Sequence, residues 1–132
     1  MNKEIQKLFK KHRLSTKIVW DHYDDDTICI LLLQSWRGTK DEIGFIQLCK
    51  MRKHWVTNSA YGIPRRFRGK GIGLYLYTRL IKYALEYGLS VRSDDNKNRK
   101  PAATAIWKKL YKTLDIKKHH GYYEVKGVKC LR

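Results

Sequence analysis

The strongest constraint on the fold is a change of hydrophobic period across a glycine-rich turn at residues 69–73. Before the turn, apolar residues form short runs, and the run Ile28–Leu33 is too uniformly apolar for a strand with one solvated face. After the turn, Ile72, Leu76 and Leu80 recur at every fourth position, which is the spacing of one face of an α-helix. The pattern therefore predicts a mixed α/β domain in which strands come first and a long helix follows.

The predicted elements follow the order helix, four strands, helix, strand, helix and strand. This order favours a single domain with a mixed, mostly antiparallel sheet and flanking helices. With 132 residues we expect one domain, in which 1–16 is an N-terminal helical segment and 17–132 is the core. The predicted bounds are helix Glu4–His12, strands Lys17–Trp20, Thr27–Gln34, Glu42–Met51 and His54–Tyr61, a helix from Ile72 that stops at Gly88, strand Leu89–Arg92, a helix from Pro101 with Leu114 on its inner face, and strand Tyr122–Val128.

The three cysteines are an odd number and form no Cys-x-x-Cys pair. This argues against a disulfide framework and a zinc site, and it favours a reducing cytoplasm. Cys29 and Cys49 lie in apolar segments, so we expect inert core thiols there. No apolar run is long enough for a membrane helix, and the polar N-terminus does not resemble a signal peptide, so we expect no membrane association. The pair at His119 and His120 lacks a third ligand, and we expect no metal site.

The net charge is unusually positive, because 29 Lys and Arg against 12 Asp and Glu give +17. No acidic residue occurs between Glu42 and Glu86 or between Asn96 and Leu114. Such a field attracts anions, but a phosphorylated cofactor, RNA, DNA and an acidic protein would all respond to it. Aromatic residues interleaved with Lys and Arg keep nucleic acid open as a partner.

The glycine turn itself has the composition of an anion-binding loop. Gly69, Gly71 and Gly73 lack a Cβ, so successive backbone N–H groups can approach a bulky anion, and the following helix directs its dipole there. Arg68 and Lys70 add positive charge, so the loop predicts a pyrophosphate site. The spacing differs from a Rossmann fingerprint and from a Walker A loop. A glycine turn required only for close packing remains as the alternative.

The hexapeptide Arg68–Gly73 resembles the Arg/Gln-x-x-Gly-x-Gly/Ala signature of the GNAT superfamily of N-acetyltransferases. Pro64, Phe67 and the helix stripe at Leu76 flank it as that family's pattern would, and the order of elements resembles the GNAT fold from about Ile18 onward. Three downstream stretches are similar to small, phage-type members: Ser93–Asp94, Pro101–Ala103 and Ile106–Leu110.

The resemblance implies direct transfer of an acetyl group from acetyl-CoA (coenzyme A) to a primary amine. The strand ending near Tyr61 would diverge from the next strand, and a backbone N–H around Ile63 would bind the thioester carbonyl. The residues implied to bind the cofactor are Tyr61, Ile63, Arg68, Gly69, Lys70, Gly71, Ile72, Gly73 and Trp107.

The catalytic residues follow less directly. Asp94 comes after the strand beside the acetyl group and is the candidate general base, with Ser93 placed to orient a water. The alternative is that Asp94 and Asp95 only shape a loop. Trp107 stands where the family often has the tyrosine that protonates the departing thiolate, so Tyr111, one helical turn on, or solvent would supply the proton.

The acceptor amine is predicted to lie on a macromolecule. A charge of +17 would repel a small polyamine and attract an acidic protein or a nucleic-acid-associated substrate. Two alternatives remain open at this point. One is a GNAT-like enzyme that modifies a nucleobase amine, and the other is a non-enzymatic basic protein that binds nucleic acid through a degenerate acyltransferase fold.

Overall fold

A computed structural model describes residues 2–21, 26–61, 63–95 and 101–128, apart from the side chains of residues 58–61 and 102. The described residues form three helices, a short 3₁₀ turn and one seven-stranded sheet. In chain order these are α1 Lys3–His12, β1 Leu14–Trp20, β2 Thr27–Trp36, β3 Thr39–Met51, β4 His54–Tyr61, the 3₁₀ turn Arg65–Phe67, α2 Ile72–Glu86, β5 Val91–Arg92, α3 Pro101–Leu110, β6 Leu114–Lys118 and β7 Tyr123–Val128.

The strands lie in the order β1-β2-β3-β4-β5-β7-β6. Every neighbouring pair is antiparallel except β4 and β5, which run parallel. The long connection from β4 to β5 contains α2, as a parallel pair requires. The predicted α/β fold, with a mostly antiparallel sheet and flanking helices, is therefore confirmed.

Several predicted elements differ from the structure. β2 continues to Trp36 instead of ending at Gln34, β3 begins at Thr39 instead of Glu42, and β5 covers only Val91–Arg92. β1 begins at Leu14, three residues before the predicted start at Lys17. The last helix ends at Leu110, and Leu114 starts β6, a strand that the sequence analysis missed. The N–H of Thr113 bonds to the carbonyl of Leu110 in a tight turn, after which Leu114 pairs with Val128. A spacing of four residues from Leu110 to Leu114 looked helical, although a turn separates the two residues.

The two faces of the sheet differ in burial. On one face, here named the helix face, Ile28, Ile30, Leu32 and Val91 have no exposed surface. α2 packs against this face at β2, β3 and β5. The other face, here named the second face, carries side chains that the strand register brings together: Cys29, Leu31, Gln47, Cys49, Val56, Arg92 and Glu124.

The second face is only half-buried. The expectation that β2 is too apolar to be half-solvated is therefore wrong, since Leu31 and Leu33 stay partly accessible while Ile30 and Leu32 are buried. The same alternation makes Cys29 and Cys49 half-buried rather than core thiols. α2 packs on the helix face, so the apolar residues of β2 that point to the second face are not covered by it.

Candidate active site

The parallel strands β4 and β5 pair over a very short length. Trp55 lies opposite Val91 and Val56 opposite Arg92, and β5 ends there while β4 continues to Tyr61. Between Asn58 and Tyr61, β4 also has one residue more than β3, which produces a bulge. Among the described residues, β4 therefore has no parallel partner beyond Val56, and the predicted divergence of the two strands near Tyr61 stays a prediction.

The loop after β4 is closed by a side-chain hydrogen bond. Nε of Arg68 donates to the carbonyl of Ile63 at 3.0 Å, across the 3₁₀ turn. Gly69 and Gly71 follow with φ of 75° and 87°, in the left-handed region that favours glycine. Arg68 therefore fixes the start of the loop, and the two glycines form its bend.

α2 begins at Ile72 with no side chain capping it. Its N-cap is Gly71, and the first turn contains no acidic residue. The main-chain ladder begins with the N–H of Tyr75, which donates to the carbonyl of Gly71 at 3.1 Å. The backbone N–H groups that precede Tyr75 have no carbonyl acceptor within the helix, and the exposed residues Arg68 and Lys70 are close to them in the chain. This end of α2 is chemically suited to an anion.

Gly73 has a different role from the two glycines before it. It lies inside α2 and is not among the glycines with positive φ. A Cβ at Gly73 would lie 3.2 Å from the Cδ1 atoms of both Ile63 and Ile106. A Cβ here would therefore force both side-chain ends to shift by a few tenths of an ångström, so Gly73 marks a close approach between the loop after β4, the start of α2 and α3.

Tyr123 connects the predicted catalytic residues. The N–H of Ser93 donates to the carbonyl of Tyr123 at 2.8 Å, and the N–H of Tyr123 donates to Oγ of Ser93 at 2.9 Å. The Ser93 hydroxyl donates in turn to the carbonyl of Asp94 at 3.0 Å. Ser93 is buried, so its hydroxyl attaches β5 to β7 and shapes the backbone at Asp94. The predicted role of orienting a water does not match this buried, bonded position.

Two further predicted residues meet the Tyr123 ring. The indole of Trp107 stacks on it with centroids 5.8 Å apart, and the ring of Tyr111 approaches it edge-on at 6.0 Å. Trp107 is 0% exposed, so it has a core position instead of the predicted cofactor contact, and its indole N–H has no hydrogen-bond partner among the described residues. Burial, and secondarily Tyr123, raises the pKa of Tyr111, which keeps its phenol protonated at neutral pH.

A pocket of about 220 Å³ opens on the second face where β5 ends. Asp94 contributes to it, together with three residues from β3 and β4 that the sequence analysis did not associate with the site. The register of the β3–β4 hairpin, in which Cys49 lies opposite Val56, is the signal that brings those strands to the pocket. Its lining residues are Cys49, Met51, Val56, Arg92, Ser93, Asp94 and Asp95.

Next to the pocket, Arg92 belongs to a chain of stacked and charged groups. Its guanidinium lies over the ring of Tyr122 at 5.1 Å, and that ring stacks on His119 at 4.7 Å. Nε2 of His119 lies 2.7 Å from Glu124, whose carboxylate also contacts Lys126 at 3.2 Å. The hydrogen bond from His119, followed by that from Lys126, lowers the pKa of Glu124. These contacts fix Arg92 at the edge of the pocket.

Tyr61, a predicted cofactor-binding residue, is described only by its backbone. The backbone of Tyr61 pairs with Phe45, whereas its side chain is not among the described groups. Within the described ranges, no group of three His, Cys, Asp or Glu side chains is arranged to hold a metal ion. In the same part of the chain, no helix has the length and apolar character needed to cross a membrane.

The glycine loop and the short β4–β5 pairing agree with the family resemblance. The model of the Acetyltransferase (GNAT) family matches residues 2–110. The chain belongs to this family. It is therefore an acetyltransferase of the GNAT type, in a family whose members use acetyl-CoA.

Solved structures share the fold at low sequence identity. A domain from Methanocaldococcus jannaschii matches with a TM-score of 0.54 and 11% identity, over 96% of this chain and 76% of that one. Spermidine N-acetyltransferase from Vibrio cholerae matches with a TM-score of 0.50 and 17% identity, over 95% and 71%. The same enzyme in complex with CoA and spermine gives 0.50 and 16%, over 94% and 71%. No curated protein sequence matches this chain.

Proposed function

We propose that this GNAT acetyltransferase transfers the acetyl group of acetyl-CoA to a primary amine carried by a macromolecule. The observation that carries the proposal is the N-terminus of α2 at Ile72, which has no side-chain cap and no acidic residue in its first turn, and which follows β4 through the 3₁₀ turn and the glycine loop. We expect the activity in the cytoplasm, because the chain has three cysteines, an odd number, and no Cys-x-x-Cys pair, a pattern that suits a reducing compartment.

The residues fit a pyrophosphate at the start of α2. Gly69 and Gly71 have open or nearly open space where a Cβ would be, so a ligand can approach their backbone. We propose that the N–H groups from Gly69 to Gly73 hold the phosphates, with Lys70 adding charge. Bound acetyl-CoA supplies the acetyl group as a thioester, whose carbonyl carbon the amine attacks.

Arg68 supports the proposed oxyanion donor. Its hydrogen bond to the Ile63 carbonyl restrains the backbone at the residue whose N–H we propose to bind the thioester oxygen. A donor that is already oriented stabilises negative charge without reorganisation during the reaction. The role of Arg68 is therefore to hold Ile63 in position, in addition to adding charge to the loop.

Asp94 is the proposed general base. It lines the pocket at the end of β5, and Ser93 bonds to its carbonyl, which orients the backbone that carries it. An amine arrives as an ammonium ion and must lose a proton before attack, so a carboxylate both attracts it and accepts that proton. Tyr111 is protonated at neutral pH and is the proposed donor to the leaving thiolate, although burial raises its pKa and makes it a weaker acid than an exposed tyrosine.

The pocket and the whole chain favour different properties of the acceptor. Asp94 and Asp95 suit the local binding of an ammonium group, and this favours an alkyl amine over the neutral exocyclic amine of a nucleobase. The net charge of +17 opposes a free polycation such as spermine, which the Vibrio cholerae relative binds. An amine on an acidic protein or on a nucleic-acid-associated substrate satisfies both conditions.

Calorimetric titration with acetyl-CoA tests the cofactor site. Gly69→Glu introduces a carboxylate beside the proposed phosphates, and like-charge repulsion should weaken binding by more than about tenfold. Gly38→Glu is the matched control, since Gly38 has a φ of 83° against 75° for Gly69 and both have open space at the Cβ position. The two variants therefore carry similar backbone strain and the same added charge.

We expect the control to bind acetyl-CoA as the wild type does. Absence of binding by the folded wild type would overturn the proposed function. Equal loss in both variants would show that strain or net charge, rather than the loop, determines the affinity.

A further inference from the structure

Three segments that are distant in sequence meet on one side of the molecule, at Gln34. Its Nε2 donates to the carbonyl of His12 at the end of α1 (3.1 Å), and its Oε1 accepts from Nη2 of Arg66 in the 3₁₀ turn (3.0 Å). The N–H of Ser35 donates to the carbonyl of Arg13 at 3.0 Å. The end of α1, the end of β2 with its hairpin, and the 3₁₀ turn therefore form one continuous surface, here named the α1–hairpin surface.

This surface is rich in exposed cations. Seven exposed Lys and Arg side chains lie on the three segments, and two exposed acids stand at the start of β3. The helix contributes on its solvent side, since its apolar side is buried through Ile5 and Phe9. The cations are Lys10, Lys11, Arg13, Arg37, Lys40, Arg65 and Arg66, and the acids are Asp41 and Glu42.

An aromatic side chain stands among these cations. Trp36 at the tip of the β2–β3 hairpin is 59% exposed, which is unusual for so large an apolar group. The guanidinium of Arg37 lies over its ring at 5.6 Å, and the Thr39 hydroxyl donates to the Trp36 carbonyl at 2.8 Å. Arg37 adopts a left-handed φ of 47° that fixes the turn. The indole is thus presented to solvent on a well-defined hairpin.

We propose that the α1–hairpin surface binds single-stranded nucleic acid. The cations would neutralise backbone phosphates, and the exposed indole of Trp36 would stack on a base. An acidic protein would use the charge but would have no need of an exposed aromatic face. Binding at this surface does not depend on acetyl transfer; that it recruits a nucleic-acid-associated acceptor to the pocket rests on the proposed function.

Fluorescence anisotropy with a labelled oligothymidylate of about 12 nucleotides measures the binding directly. If all seven cations engage phosphates, the logarithm of affinity should fall with the logarithm of salt concentration with a slope of about −5. Trp36→Ala should weaken binding by about tenfold, since stacking on an aromatic ring contributes roughly 1–3 kcal/mol per base, and Trp36→Phe should restore most of it.

A charge-matched pair separates the surface from the general charge of the protein. Lys11→Glu/Arg37→Glu reverses two cations of the surface, whereas Lys112→Glu/Lys118→Glu reverses two exposed cations beside β6, at the opposite edge of the sheet from β1. Both variants have the same net charge. We expect a loss of about tenfold or more for the first and little change for the second.

Three results would overturn the proposal. Equal losses in the two charge-reversal variants would mean that net charge alone attracts the oligonucleotide. Competition by poly-glutamate as effective as that by unlabelled oligonucleotide, with no effect of Trp36→Ala, would indicate an acidic-protein site. Displacement of the oligonucleotide by CoA would mean that it occupies the cofactor loop. The first two results do not bear on acetyl-CoA binding, and the third would itself require CoA to bind at the loop, so failure of this proposal leaves the proposed function to be tested separately.

Discussion

The helix face and the second face of the sheet are built from the same strands, yet they serve different purposes. On the helix face, Ile30, Leu48 and Val91 are fully buried and entirely apolar. Cys49 and Arg92 directly follow Leu48 and Val91 in the sequence and point to the second face, where they are partly accessible and line the pocket with Asp94. Alternation along each strand therefore divides the sheet into a side that maintains the fold and a side that carries the pocket in which we propose the chemistry.

The contrast predicts that substitutions on the helix face reduce stability and that substitutions on the second face reduce activity. Tyr123 is where the two sides meet. Its ring packs on Trp107 in the core, while its backbone holds Ser93 beside Asp94. Variants on either side of Tyr123 therefore test whether stability and chemistry are as separate as the burial suggests.

The largest effect is expected from Trp107→Ala on the helix face. Removing a fully buried indole should lower the free energy of unfolding by about 3–5 kcal/mol, measured by urea denaturation. Trp36→Ala is the control of the same residue type, because Trp36 is 59% exposed and should change stability by less than about 0.5 kcal/mol.

Trp107→Phe refines this test. The indole N–H of Trp107 is buried and has no hydrogen-bond partner in the part of the chain that the structure describes, and such a group costs roughly 1–3 kcal/mol. Phe removes that cost while keeping the stack on Tyr123, so its loss should be much smaller than that of Ala. If both variants retained wild-type stability, Trp107 would not be a core residue and the distinction between the faces would fail.

Asp94→Asn is expected to change the activation free energy of catalysis by less than Trp107→Ala changes the free energy of unfolding. It should leave stability unchanged. Loss of a general base lowers the rate by about a hundredfold or more, and the isosteric amide keeps the backbone bond from Ser93. Steady-state kinetics should show the loss in kcat, with the urea midpoint unchanged. Asp95→Asn, in the same pocket but more exposed, should lose much less. If Asp94→Asn retained the wild-type kcat, Asp94 would not be the general base.

The two parts of the site were unequally predictable from sequence. The loop from Arg68 to Gly73 is local, so composition and the change of period were enough to predict an anion site at the start of a helix. Gly73 was the exception, because its contact with Ile106 arises from packing between α2 and α3. Tertiary contacts of this kind leave no local trace in the sequence.

The acceptor side depends on such contacts throughout. Ser93 and Tyr123 are 30 residues apart and meet only because β5 and β7 are neighbours in the sheet. β6 was missed because the step from Leu110 to Leu114 matches a helical period as well as a turn followed by a strand. Apart from β6, the order of elements was predictable, whereas the strand order that forms the pocket required the structure.

The smallest effect is expected from Glu124→Gln, on the second face. Hydrogen bonds from His119 and Lys126 lower the pKa of Glu124 below its usual value of about 4.5, so the folded state favours the carboxylate. The Glu124 carboxylate therefore stabilises the fold fully above about pH 4.5, and this stabilisation is lost as the pH falls through the lowered pKa of the folded state. At neutral pH the variant should be less stable by under about 1 kcal/mol, because the pair is partly solvated. Urea denaturation at several pH values should show this difference shrink below about pH 4.5.

Glu42→Gln, which removes an exposed carboxylate, should show no such convergence. Because Arg92 stacks on Tyr122 and Tyr122 stacks on His119, loss of the Glu124 contact also releases one support of the pocket edge. A change in KM for the acceptor without a change in kcat would therefore attribute to Glu124 a positioning role in addition to its small contribution to stability. A fall in kcat equal to that of Asp94→Asn would contradict the separation of roles on this face, since it would make the support as important as the proposed base.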